Sequence, residues 1–119
     1  MVTKDVIRKP RTRDFGKSKR LADFEPLNFT LNDETFNCKP AIQGQTLLQF
    51  VAEADSNDGS KAAHALYGFF EQTLVPDDYT RFDEMLKSDE VIVDLSLLGD
   101  IASWLVEEYT ERPTSGPES

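Results

Sequence analysis

His64 and Cys38 are the only histidine and the only cysteine in this 119-residue chain. Catalysis by either would need a second group aimed at it, and no Ser-His-Asp or Cys-His set can be assembled from the sequence. His64 lies in the alanine-rich stretch Ala62-Ala63-His64-Ala65 and reads as partly exposed helix surface. Cys38 sits on an apolar alternation and reads as a small core residue. One thiol forms no internal disulfide, which suits a reducing compartment. The carboxylates come as neighbours: Asp77/Asp78, Asp83/Glu84, Asp89/Glu90 and Glu107/Glu108. Adjacent side chains on a helix diverge, so these are not acid–base dyads. A glycosidase needs two carboxyls facing across a cleft, for which a chain this short has little room. Asp55-Ser56-Asn57-Asp58-Gly59 opens like a calcium loop, but Leu66 stands where the twelfth-position glutamate belongs. Neither GxxxxGK[ST] nor GxGxxG occurs, so no phosphate cradle is expected. No catalytic residue, metal or cofactor is expected, and the chain is read as a binding protein rather than an enzyme.

Charge is the more informative chemistry. The formal net charge is −9, which favours solubility and opposes general binding to nucleic acid or anionic membrane. Its distribution is lopsided. Residues 1–25 hold eight Lys or Arg against four acids; the rest of the chain holds five against eighteen. A basic arm is attached to a strongly acidic body. The arm has no sustained apolar period, contains Pro10 and Gly16, and reads as a solvated tail. Contact with phosphates is an alternative. Phe15 and Phe24 are its only aromatic residues, so base stacking is not suggested. No apolar run is long enough to span a bilayer. The charged N-terminus lacks the apolar segment of a secretory signal.

The elements that must carry these residues are short. Leu27, Phe29 and Leu31 alternate with polar neighbours, as do Phe36 and Cys38 after Asn32-Asp33-Glu34, which predicts a β-hairpin. A hairpin alone is marginal in water, so its apolar face must rest on helices. Leu47, Leu48, Phe50, Val51 and Ala54 predict a helix starting at Gln45 or Thr46. Ser60 is the expected cap of a second helix, with Ala62, Leu66, Phe69, Phe70 and Leu74 on its apolar face. Pro76 closes that helix or opens the next, whose first turn carries Asp77 and Asp78, where the dipole favours negative charge. Tyr79, Phe82, Met85 and Leu86 form the third face. Val91-Ile92-Val93 is expected to be extended or buried. Asp94 or Ser96 caps a last helix, with Leu97, Leu98, Ile101, Trp104, Leu105 and Tyr109 facing inward. The expected fold is mainly α: about four helices with an N-terminal β-hairpin, flanked by disordered tails. The expected divisions are a flexible basic arm over 1–23, a helical domain with hairpin over 24–110, and a disordered tail over 111–119.

Four stretches, taken in order, carry a family resemblance: LNFTLNDETFNCKP at 27–40, LLQF at 47–50, AAHALYGFFEQTLVPDDYTRFDEML at 62–86 and IASWLVEEYTERPTSGPES at 101–119. Together they resemble the tail assembly chaperones of long-tailed, siphovirus-type bacteriophages, especially those infecting actinobacteria. The resemblance spans about residues 24–117 and leaves the basic arm outside. It implies binding to the long helical tape measure protein, which is kept soluble before the tail tube polymerises around it. It also implies action in the host cytoplasm, absence from the mature virion, and a frameshifted long form of which this chain would be the short product. Self-association and association with that long form are expected partners' work; membrane and nucleic acid are not expected partners. The expected client-binding residues are the exposed parts of Phe69, Phe70, Phe82 and Trp104, although their helical spacing also suits a wholly structural role. The alternative functions are a structural head–tail joining component of the virion and a nucleic-acid-associated regulator using the basic arm.

Overall fold

A computed structural model describes residues 10–111. Residues 1–9 of the expected arm and 112–119 of the expected tail lie outside the described residues. Pro10 to Arg20 has no regular structure and is exposed throughout. A single 3-10 turn, Leu21–Asp23, leads into the folded body.

The hairpin forms where the alternation placed it. Strands β1 (Leu27–Leu31) and β2 (Glu34–Cys38) pair antiparallel, with Leu27 opposite Cys38 and Phe29 opposite Phe36. The turn residues Asn32 and Asp33 have φ of 52° and 65°. Two left-handed residues match the strand twist, and Asn and Asp tolerate that conformation best after glycine.

Four helices follow: α1 (Gly44–Ala54), α2 (Gly59–Thr73), α3 (Pro76–Leu86) and α4 (Leu95–Thr110). The fold is thus a small, mainly α domain with an N-terminal hairpin. The cap of α2 is Asp58, not Ser60: its carboxylate accepts the Ser60 N–H at 3.0 Å and the Lys61 N–H at 3.4 Å. A carboxylate satisfies two free amides and adds charge at the dipole's positive end. Asp94 caps α4, accepting the Leu97 N–H at 2.9 Å.

Pro76 has two effects. It is the first residue of α3, where its missing N–H costs nothing. It also holds Val75 extended, at φ −66° and ψ 150°. That extended junction lies against the outer edge of β2. Lys39 N–H donates to the Thr73 carbonyl at 2.7 Å and Val75 N–H to the Asn37 carbonyl at 3.0 Å. Cys38 pairs with Leu74 as an isolated bridge. The junction thereby acts as a third, very short strand that joins the hairpin to the helices.

The core sits at this joint. Phe82 is fully buried, with its ring 5.4 Å from Phe36, 5.9 Å from Phe29 and 5.1 Å from Phe70, centroid to centroid. Leu27, Cys38, Phe69, Leu74, Ala102 and Leu105 belong to the same cluster, and Thr73 is fully buried. At the far end of α4, the Tyr109 hydroxyl donates to the Lys39 carbonyl at 2.9 Å. Val91-Ile92-Val93 is neither strand nor core: it is irregular, and Ile92 is 79% exposed. No helix among the described residues is long and apolar enough to cross a membrane.

Candidate apolar groove

The structure separates the residues expected to bind a partner. Phe69, Phe70 and Phe82 are buried to 2% exposure or less. Their rings are spent on packing: Phe69 stacks on Phe50 of α1 at 4.0 Å with only 13° between planes, and Phe70 and Phe82 belong to the aromatic joint. A partner could reach these rings only by opening the core. Trp104 is half-buried and packs against the same cluster. The spacing of the three phenylalanines thus marks helix faces that pack on each other.

An open apolar surface lies between α1, α2 and α4. It is a groove of about 520 Å³. Phe50 and Ala54 of α1 form one wall. Leu95, Gly99, Ala102 and Val106 of α4 form the other, and Ala62, Ala63 and Leu66 of α2 form the floor. Leu95, at 69% exposure, stands at its mouth. Leu97, expected to face inward, instead lies partly exposed on α4. The groove exists because α2 packs on both α1 and α4 while its alanines fill little of the space between them. Gly99 accentuates this: a Cβ placed there would meet no atom within 4 Å.

The charges around the groove are acidic. Asp100 and Glu107 lie three residues before and four after the lining residue Ser103, so they share its ridge along α4. Both are exposed. Asp55 and Asp58 are exposed in the turn between α1 and α2, and Asp94 is exposed at the start of α4. Lys61 lies two residues before Ala63 on α2, a spacing that does not share a face.

The remaining polar groups brace the fold. The Arg81 guanidinium meets Glu34 at 2.9 Å, the Thr35 carbonyl at 2.8 Å and Asp78 at 3.2 Å. It also lies 4.7 Å from the Phe36 ring centre, capping the aromatic joint from outside. Asp78 accepts the Asn37 N–H at 2.6 Å. That backbone hydrogen bond, with help from Arg81, holds its carboxyl below the usual range. Asp83 is likewise held low, by the Tyr67 hydroxyl that donates to it and then by Lys87 at 2.9 Å. Burial, followed by the charge of Asp78, pushes the Cys38 thiol up to about 12. Such a thiol stays protonated and is a poor nucleophile. His64 is exposed at the rim of a smaller dent of about 260 Å³ on the other side of α1 and α2, beside Glu53 and Gln72. Among the described residues, no group of three or more His, Cys, Asp or Glu is placed to hold a metal ion.

The groove escapes sequence reasoning because small residues give no hydropathic stripe. The available signal was Gly99, Ala102, Ser103 and Val106 recurring by three and four along α4. The chain matches no protein-family model, no curated protein and no solved structure.

Proposed function

We propose that this chain is a phage tail assembly chaperone that binds the tape measure protein and keeps it soluble before tail-tube polymerisation. The observation that supports the reading most is the open apolar groove between α1, α2 and α4, bordered by exposed carboxylates. A long helical client exposes apolar seams and aggregates through them. A groove of this kind covers part of one seam, and the acidic body adds charge and solubility to the complex. The groove is small, so one copy binds weakly. Many copies along one client act by avidity.

The test is co-expression with a tape measure protein, followed by size-exclusion chromatography with light scattering at moderate and high salt. A client that is insoluble alone and soluble in a complex that survives high salt supports the proposal. A client that stays insoluble while the chain elutes alone overturns it. Stoichiometric presence in purified particles would favour a head–tail joining component instead. A complex lost at high salt and on removing residues 1–22 would favour the nucleic-acid reading.

A further inference from the structure

We infer that the segment received by the groove is a single amphipathic α-helix whose apolar stripe is edged by Lys or Arg. The inference rests on the proposed chaperone reading and specifies the client chemistry of that same surface. Three features of the groove lead to it.

The first is the nature of the walls. Every wall is a helix, with its backbone amides and carbonyls engaged internally. An extended peptide would bring its own polar backbone against an apolar lining that offers no strand edge. A helix brings a backbone already satisfied. The second is length. Leu95 to Val106 covers twelve residues of α4, a rise of about 16 Å at 1.5 Å per residue. That matches about three turns of a helix laid alongside, presenting aliphatic side chains at i, i+3 or i+4, and i+7. The unfilled space over Gly99 receives a bulky one of these. The third is charge. Asp100 and Glu107 run along one rim, and Asp55 and Asp94, next in sequence to the lining residues Ala54 and Leu95, are exposed. An acid-edged helix would meet like charge on seating, whereas a Lys- or Arg-edged helix meets complementary charge.

The experiment uses the full chain and three labelled synthetic 18-residue helical peptides, read by fluorescence anisotropy. One has a Leu stripe edged by Lys, one the same stripe edged by Glu, and one the Lys edges with the stripe changed to Ser. The Lys-edged Leu peptide is expected to bind at least tenfold tighter than either of the others. The double substitution Asp100→Lys and Glu107→Lys, both at exposed positions, is expected to reverse the preference between the two Leu peptides. Unchanged melting of that variant by circular dichroism shows that the fold is intact.

Equal binding of the Ser-stripe peptide would reduce the interaction to charge alone and overturn the inference. So would equal binding of the two Leu peptides, or no binding to any of them. If the free chain is a dimer that Gly99→Leu dissociates, a second copy occupies the groove and the inference also falls. The two proposals fail separately. A soluble tape measure complex without the peptide preference sinks only the client chemistry. The peptide preference without a soluble complex sinks the chaperone reading.

Discussion

Gly99 tests whether the groove is a feature of the fold or a flaw in its packing. It is the fifth of the sixteen residues of α4, well inside the helix. A glycine there costs about 0.5–1 kcal/mol relative to alanine through lost backbone entropy. Nothing in the chain itself explains that cost, because a Cβ at Gly99 meets no atom within 4 Å. Gly99→Ala should therefore stabilise the domain by about 0.5–1 kcal/mol. For a domain of this size that raises the melting temperature by about 2–8 °C, measurable by circular dichroism at 222 nm and by urea titration. Gly99→Leu should keep the fold, since its side chain extends into the groove, and should weaken the Lys-edged peptide at least tenfold by occupying its place. Gly68→Ala is the control. It is also an interior helical glycine with open space around its Cβ, but it lines the smaller dent beside His64 rather than the groove. It should stabilise the chain and leave peptide binding unchanged. A lower melting temperature for Gly99→Ala would refute the reasoning, because it would show that α4 needs the glycine for its own packing.

Three further outcomes follow from the core and its braces. Phe82→Ala should cost about 3–5 kcal/mol in urea unfolding, since the ring is fully buried among three other phenylalanines; a loss below about 1 kcal/mol would mean that the joint is not packed as described. Asp78 and Asp83 have carboxyl pKa values below their ordinary ones, so the stability they contribute is complete above about pH 4 and is lost as pH falls through their lowered folded values. Melting temperature should drop on acidification in that range, and Asp78→Asn should flatten the drop; an acid profile identical to the parent's would show that Asp78 contributes nothing. Cys38 should resist a thiol-specific disulfide reagent at pH 8 in the native chain and react on unfolding in urea, because the buried thiol is pushed up to about 12.

The sequence makes some of these elements legible and hides others for physical reasons. Alternation at Leu27, Phe29 and Leu31 reveals a strand because period two has one reading there, and Asn32-Asp33 reveals the turn because few residues accept left-handed φ. The faces of α2 and α3 are legible from spacing by three and four. Spacing does not say which part of an apolar face is covered by a neighbour, so Phe69, Phe70 and Phe82 looked equally suited to packing and to binding. The burial of Phe70 and Phe82 depends on β2 lying against the α2–α3 junction, a contact between residues far apart in the chain, and that of Phe69 on the Phe50 ring of α1. Sequence alone does not single out Asp58 as the cap, because Gly59 and Ser60 also suit a helix start. Val91-Ile92-Val93 shows the limit of β-branched composition: without a strand beside it, the run forms no sheet, and Ile92 stays in solvent.

Helix α1 differs from the other three helices in contributing no fully buried residue. Its hold on the body comes through half-buried side chains such as Leu47 and the ring of Phe50 laid flat on Phe69. Stacked rings resist separation more than they resist sliding, so α1 is the compliant wall of the groove and α4, anchored by Ala102 and Leu105, the stiff one. Its amides should exchange with solvent earlier than those of α2 or α4. Compliance on one side gives the groove an adjustable width. Under the proposed chaperone reading, the rigid wall would set the direction of an incoming helix and the other would adapt to its girth, so that identical copies could line up along a client whose sequence varies from one stretch to the next.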